Sequence, residues 1–443
     1  MINKIKEYFY KKNKKKKLFA FVKVFGCQQN EADAEKIKGF LSLIGFEFVD
    51  DPILADFILF ETCAVRHTAE NRVLGQIGAL KNIKIANPNV LISICGCMVE
   101  QEEVRSYISE KFPFVDLMCG AKLIDYFPNL LYEKLTGEKL ESFCSMPTLR
   151  DNKFKAWIPI ISGCNNFCSY CIVPYVRGRE KSRNYEEILN DCKLAIDSGA
   201  KVLTFLGQNV NSYEYENIKF SDLIKMVDNI NADFIFRFMT SHPKDFNKDL
   251  IDILADCKHF SGNIHLPVQS GNNRILKLMN RKYTREDYIE KVNYAKSKIK
   301  NLVLTSDIIV GFPGETNEEF EDTVSLIKDV KFYSIFNFIY SPRSGTLSYK
   351  MTDDISHEEK AQRISKLINV QNEISEQLFK DLIGKKFDVM IEKISDGETL
   401  SKTKSNLLVK IKSDNLEVGK IVKVKIISSS RNYLLGELEE KNE

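Results

Sequence analysis

Trp157-Ile-Pro-Ile-Ile-Ser-Gly-Cys-Asn-Asn-Phe-Cys-Ser-Tyr-Cys171 joins an apolar run to a loop with three cysteines spaced C-x3-C-x2-C. Cys164, Cys168 and Cys171 are the only soft ligands in that loop, which holds no histidine. A 4Fe–4S cube on three thiolates keeps one iron without a protein ligand, open to a small molecule. A structural zinc needs a fourth soft ligand. A thioredoxin-like dithiol uses Cys168 and Cys171 and leaves Cys164 without a function. The spacing favours the cube over both.

Outward from this loop, residues 150–380 alternate apolar runs with helix-forming stretches. The runs Trp157–Ser162, Val202–Leu206, Phe234–Phe238, Asn263–Leu266, Leu302–Val310 and Ser334–Tyr340 predict strands. Tyr185–Asp197, Leu223–Ile230, Lys248–Ala255, Arg285–Ile299 and Glu318–Asp329 predict helices, with Gly199 as the stop after the first. Six β/α units suggest a TIM-like barrel left partly open, with its chemistry at the carboxyl ends of the strands. Gln208, Asn209, His242, Gln269 and Asp307 fall near such ends and are the candidate cofactor-binding residues, although each also suits an ordinary hydrogen-bonded barrel side chain. Arg177 and Arg183 read as phosphate contacts or, more commonly, surface ion pairs. His67 reads as a residue on a solvated helix face. Gly311 to Gly314 suit close ligand approach or a strand-ending turn.

Residues 18–145 show a similar rhythm. Phe21–Phe25, Phe57–Phe60, Val90–Ile94 and Phe114–Met118 predict strands, and Glu31–Leu43, Val65–Leu80 and Val99–Ile108 predict helices, which together imply a parallel sheet with helices on its faces. Cys27, Cys63 and Cys97 each follow a strand. In a parallel sheet they gather at the carboxyl edge, where open α/β sheets bind ligands. This trio is a second candidate cluster site, against the alternative of three separately buried thiols. Cys119 also follows a strand, a position that would suit a fourth ligand, but it reads with Cys95, Cys144, Cys192 and Cys257 as an ordinary cysteine.

The ends differ in character. Residues 1–17 hold eight lysines with no apolar stretch behind them, so they read as a solvated basic tail and not a secretory signal. After a charged helix over His357–Leu382, alternation at Phe387, Val389 and Ile391 and at Val422, Val424 and Ile426 predicts antiparallel strands, with turns at Asp396-Gly397 and Val418-Gly419. Residues 383–443 suit a small β-barrel of the kind that handles nucleic acid, or a stabilising appendage. The fold class is therefore α/β: parallel sheet, central open barrel, small antiparallel barrel.

Hydrophobic residues make up 44% and charged residues 28% of the 443, with net charge +3. That balance is one of a globular protein and does not by itself announce a nucleic-acid partner. The expectation is a cytoplasmic protein with no membrane contact, its eleven cysteines kept reduced as potential metal ligands.

Ordered motifs then carry a resemblance. Phe25-Gly-Cys-Gln-Gln-Asn-Glu31, Thr62-Cys-Ala-Val-Arg66, Gly96-Cys-Met98, Gly163-Cys-Asn165, Cys171-Ile-Val-Pro-Tyr-Val-Arg-Gly178, Leu206-Gly-Gln-Asn-Val-Asn211, Thr240-Ser-His-Pro243, His265-Leu-Pro-Val-Gln-Ser-Gly271 and Val310-Gly-Phe-Pro-Gly-Glu315 occur in the order found in the methylthiotransferase branch of the radical S-adenosylmethionine enzymes. Gly-Cys-Gln-x-Asn and Thr240–Pro243 resemble the tRNA-modifying members that act on isopentenyladenosine more than those acting on threonylcarbamoyladenosine or on a ribosomal protein. The resemblance departs at Cys95 and Cys119, and at Ser401-Lys-Thr-Lys404, where the family's RNA-binding TRAM barrel (OB-like) carries an arginine-bearing loop. Lysine keeps the charge but not the planar fork.

What the resemblance implies is a radical 4Fe–4S cluster on Cys164, Cys168 and Cys171 that binds S-adenosylmethionine and cleaves it to a 5′-deoxyadenosyl radical. It also implies an auxiliary 4Fe–4S cluster on Cys27, Cys63 and Cys97 that supplies sulfur. The product would be 2-methylthio-N6-isopentenyladenosine beside the anticodon of tRNA. Expected partners are tRNA, a reductant of flavodoxin or ferredoxin type and a sulfur or Fe–S carrier, with the protein a monomer. A non-catalytic Fe–S and RNA-binding scaffold is the competing reading from outside the class.

Overall fold

Strands β3 (Phe57–Thr62) and β4 (Leu91–Gly96) are buried on both faces, and this organises the N-terminal half. The computed structural model describes residues 1–13, 17–64, 67–140, 146–395, 397–413 and 415–439. Cys144, Val65, Arg66 and Asp396 lie outside these, as does the side chain of His67. The chain divides into two units: Met1–Asn152 with Ser162–Asn165 and Ile172–Glu180, and Lys153–Ile161 with Asn166–Cys171 and Lys181–Glu443.

In the first unit, β1 (Leu18–Phe25), β2 (Phe46–Phe48), β3, β4 and β5 (Leu117–Gly120) form an all-parallel sheet in the order β2-β1-β3-β4-β5. Near-continuous Val, Ile, Leu and Phe runs are what a sheet covered on both faces requires. Helices α2 (Gln28–Ile44), α3 (His67–Ala86), α4 (Glu102–Lys111) and α5 (Phe127–Thr136) follow the strands. The expected tail is corrected: Ile2–Asn13 form helix α1, whose Ile5 and Phe9 are fully buried, Phe9 meeting Phe46 and Phe57 edge to face. Ile5 and Phe9 are one helical turn apart, enough to anchor a stretch that is otherwise lysine-rich. Strand β2, at three residues, is too short to leave a periodic signal.

In the second unit the strands are β6 (Lys155–Pro159), β9 (Val202–Leu206), β12 (Ile235–Phe238), β13 (Asn263–His265), β14 (Val303–Val310) and β15 (Ser334–Ile339), with the two-residue strands β7 (Ile161–Ser162), β8 (Lys181–Ser182), β10 (Glu214–Tyr215) and β11 (Ile218–Lys219) between them. Two parallel three-stranded sheets, β6-β9-β12 and β13-β14-β15, are linked by a single parallel bridge from Phe236 to Phe260. This is the expected open barrel, broken where the second sheet begins. Its helices are α7 (Tyr185–Asp197), α8 (Phe220–Asp228), α9 (Lys248–Asp256), α11 (Arg285–Lys298) and α12 (Asn317–Val330), with the shorter α10 (Asn273–Leu278), while the short α6 (Val173–Arg177) belongs to the first unit. Thr284 with Asp287 and Thr316 with Glu319 form capping boxes that start α11 and α12. Gly199, at φ 102°, ends α7 as expected.

Helix α13 (His357–Lys380) leads to β16 (Lys386–Ser395), β17 (Glu398–Thr403), β18 (Leu408–Ile411), β19 (Ile421–Ser429) and β20 (Leu434–Leu438), a barrel closed in the order β16-β17-β18-β20-β19. All pairs are antiparallel except β18 with β20. Ser401 to Thr403 belong to β17, not to a loop. Thr399, Ser401 and Thr403 alternate inward, and Ser401 Oγ donates to Val409 O.

Candidate functional site

At the carboxyl edge of the N-terminal sheet, Cys27, Cys63 and Cys97 follow the neighbouring strands β1, β3 and β4. Asn30 explains the Gly-Cys-Gln-x-Asn motif. Its Oδ1 accepts from the Cys27 backbone N–H (3.3 Å) and the Cys27 thiol (3.3 Å), while its Nδ2 donates to Glu61 Oε1 (2.9 Å) and Thr62 O (3.1 Å). The Asn30 amide fills the space a Cβ at residue 26 would occupy, so Gly26 is required. Gly96 is required twice over: φ is 99°, and a Cβ there would overlap Thr62 O and Glu61 Oε1.

Electrostatics tie the thiols together. A hydrogen bond from Cys63 lowers the Cys27 thiol to about 6, helped by the Arg177 charge. Burial pushes the Cys97 thiol up to about 11, although Arg177 opposes the rise. Burial, followed by the Cys95 and Asp33 charges, holds the Glu61 carboxyl well above the usual carboxylate range. Among the described residues no three His, Cys, Asp or Glu side chains close on one point as a single metal ion requires. A cube makes a different demand, since each of its three thiolates takes a separate iron.

Arg177 is a correction. Rather than facing solvent or phosphate, its side chain is 7% exposed, donates from Nη2 to Asp33 (3.0 Å) and from Nε to Cys97 Sγ (3.1 Å). Arg183 does make structural contacts, to Pro159 O (2.8 Å) and Asp191 (2.9 Å). Cys95 and Cys119 sit directly opposite each other on β4 and β5 and are buried in the apolar core beside α2 and α5. The Cys119 thiol donates to Leu123 O (3.4 Å), so this thiol is packed into the fold.

The second trio lies on the loop between β7 and α6. Cys164 is buried in the first unit, where its N–H donates to Gly178 O (3.1 Å). Cys168 is buried in the second, where its sulfur accepts from Arg281 Nη1 (3.3 Å) and its carbonyl accepts from the Cys171 N–H (2.9 Å). Arg281 is itself held by Tyr283 (2.7 Å) and Pro267 O (2.7 Å).

The mouth of the barrel is unusual in two ways. Phe167, Thr240 and Gln269 adopt left-handed φ of 46°, 65° and 72°. For a β-branched residue such as Thr240 this is strained, of order 1–3 kcal/mol. Next to it, Gln208 Oε1, both amide atoms of Asn211, Ser241 Oγ and His242 Nε2 are buried without a hydrogen-bond partner. Each such group costs roughly 1–3 kcal/mol unless something completes it. His242 Nδ1 accepts from Lys244 N–H (3.2 Å), which puts the neutral ring's proton on Nε2. Burial, with the Arg281 charge behind it, pushes His242 down to about 2, so the ring stays neutral.

Of the five residues expected here, Gln208 and His242 present unpaired atoms. Asn209 does not: Nδ2 donates to Asp245 (2.6 Å) and Oδ1 accepts from His242 N–H (3.2 Å), so its amide is committed to orienting the mouth. Gln269 is pinned to β14 by backbone bonds with Asp307 (2.9 Å) and Ile309 (3.0 Å). Asp307 faces His265 Nε2 (3.3 Å). Gly311 forms a turn, and the Lys360 side chain occupies the space beside it. A cleft of about 680 Å3 lies at the opposite, amino ends of these strands, lined by Val202, Ile235, Arg237 and Lys402 among others, away from this chemistry.

Comparison with known proteins gives the chain's family. Residues 158–327 match the Radical SAM superfamily, 19–120 the Uncharacterized protein family UPF0004 and 380–438 the TRAM domain. The chain is 42% identical over 452 residues to a tRNA-2-methylthio-N(6)-dimethylallyladenosine synthase of Thermoanaerobacter, covering 99% of this chain and 96% of that protein. It is 44% identical over 432 residues to the Clostridium botulinum protein of the same name, covering 94% and 96%. Among solved structures, the cobalamin-dependent radical S-adenosylmethionine enzyme OxsB superposes with TM-score 0.53 at 12% identity, over 82% of this chain and 56% of that one. The Kitasatospora setae methyltransferase TsrM does so with TM-score 0.52 at 10% identity, over 73% and 75%. These last two speak to fold alone.

Proposed function

Because this chain belongs to the tRNA-2-methylthio-N(6)-dimethylallyladenosine synthase family of radical S-adenosylmethionine enzymes, we propose that it converts N6-isopentenyladenosine beside the tRNA anticodon to its 2-methylthio derivative. The family implies a 4Fe–4S cluster and S-adenosylmethionine, and Cys164, Cys168 and Cys171 would hold that cluster. Cys27, Cys63 and Cys97 would hold a second. When bound, the first supplies reductive cleavage of S-adenosylmethionine and the second supplies sulfur.

The chain's own residues suit these tasks. Asn30 fixes the Cys27 loop, and the Cys63 hydrogen bond keeps Cys27 readily ionised for ligation. At the barrel mouth, Gln208, Asn211, Ser241 and the Nε2–H of His242 offer donors and acceptors to the polar groups of S-adenosylmethionine, while Asn209 orients His242. Gln269 and Asp307 complete the expected binding set. On the small barrel, exposed Lys423 and Lys425 lie on β19 beside Lys386 of β16, interleaved with Asp388, Glu437 and Glu439, and these lysines would be the contacts to the tRNA backbone. A base in the single-stranded anticodon loop can leave its stack cheaply to reach the mouth. A flavodoxin- or ferredoxin-type protein would supply electrons and a sulfur or Fe–S carrier would reload the second site, with the enzyme working as a monomer.

The observation that carries this reading is the gathering of Cys27, Cys63 and Cys97 at one sheet edge under Asn30 and Arg177, since radical generation alone needs one trio. Nucleoside analysis of tRNA from a deletion strain tests it. Loss of the 2-methylthio form with accumulation of N6-isopentenyladenosine is expected; an unchanged profile overturns it. Anaerobic release of 5′-deoxyadenosine under reduction separates the enzyme from a scaffold.

A further inference from the structure

Arg177 follows Cys171 by six residues and ends helix α6, yet it belongs to the unit that holds Cys27, Cys63 and Cys97. Both ends of its guanidinium are committed, one to Asp33 and the other to the sulfur of Cys97. The second oxygen of Asp33 accepts from Gln29 Nε2 at 3.0 Å. Gln29 and Asp33 lie on α2 just after Cys27. A continuous chain, Gln29 to Asp33 to Arg177 to Cys97, therefore links the helix behind the first cysteine to the third.

Fold stability does not demand such an arrangement, because a buried ion pair can often be replaced by apolar residues at no loss. The guanidinium is nevertheless aimed at a sulfur, by a hydrogen bond spanning 80 residues of sequence. In the other unit, Arg281 makes the same kind of contact to Cys168. Each trio thus contains one sulfur facing a buried arginine. Hydrogen bonds to cluster sulfurs and nearby positive charge both favour the reduced, more negative state of an Fe–S centre.

We propose that Arg177, oriented by Asp33, is a positioning residue for the N-terminal site: its hydrogen bond to the Cys97 sulfur makes the cluster there easier to reduce. The inference rests on the reading of Cys27, Cys63 and Cys97 as a cluster site.

The test uses the full chain carrying C164A/C168A/C171A, reconstituted anaerobically, so that only the N-terminal site contributes. Absence of iron in this protein would sink the cluster reading itself, and the inference with it. With iron present, the midpoint potential is read by electron paramagnetic resonance during a dye-mediated titration. Adding R177M/D33N, which removes both charges and leaves neither unpaired, is expected to retain the iron. The reduced-to-oxidised ratio at fixed potential should fall about tenfold, equivalent to about 59 mV for a one-electron couple. Adding R177K instead keeps the charge but cannot span both partners, and the ratio should fall about threefold. An unchanged ratio in R177M/D33N overturns the proposal. Should that variant not take up iron, R177K decides: a lowered ratio supports the role and the parent's ratio overturns it.

Discussion

Replacing Asn30 by Ala removes the side chain on which the Cys27 loop is built. Three hydrogen bonds go with it besides the thiol contact: two donated by Nδ2, to Glu61 Oε1 and Thr62 O, and one accepted from the Cys27 N–H. At a net ~1 kcal/mol each, the loss is about 3 kcal/mol. Thr62 O keeps a second donor in the Cys97 N–H (2.9 Å), which holds the figure below the cost of a fully orphaned carbonyl. With a urea m-value of about 2 kcal/mol/M, the midpoint for the metal-free protein should fall by about 1.5 M, followed by far-ultraviolet circular dichroism. Because Cys27 is then no longer held, anaerobic reconstitution of N30A should recover about half the wild-type iron while 5′-deoxyadenosine release persists. A midpoint shift under about 0.3 M together with full iron would refute the claim that Asn30 organises this edge.

Glu35 gives a pH test. Burial raises its carboxyl from 4.5 to about 7, a difference of 2.5. A carboxyl raised on folding is ionised more easily in the unfolded chain, so the protein should lose stability between pH about 4.5 and 7, by roughly 3 kcal/mol in all. E35Q, which keeps an acceptor for the Asp151 N–H, should flatten that pH dependence of Tm; an identical slope in both proteins would count against it. G96A forces a Cβ onto Thr62 O at a left-handed φ and should cost at least about 2 kcal/mol together with the N-terminal iron, both measurable on one preparation. K423A/K425A should weaken tRNA binding and reduce the salt slope by about 2, against no change if the small barrel does not touch RNA.

The regular elements were legible because periodicity is local. Runs such as Phe57–Phe60 and Val202–Leu206 announce buried parallel strands, and cysteines placed just after strands announce a shared edge. The Asp33–Arg177 pair spans 144 residues and leaves no local pattern, so Arg177 read as a surface charge. Arg281 was missed for the same reason. Asn30 was visible within a motif, but its purpose emerges only once the Gly26 site is seen to be filled by its amide. At the barrel mouth, Asn211 and Ser241 stood beside residues singled out, yet an unpaired buried atom is a property of packing and cannot be read from order in the chain. Helix α1 hid because a few apolar and aromatic residues in a lysine-rich stretch look like chance until Phe9 meets Phe46 and Phe57.

Iron and sulfide counts on the anaerobically reconstituted wild type and the two triple-alanine variants bear most directly on the whole account. Two independent cubes predict about eight irons per wild-type chain and about four in either C27A/C63A/C97A or C164A/C168A/C171A. About four irons in the wild type, all lost with the C164A/C168A/C171A variant, would contradict it.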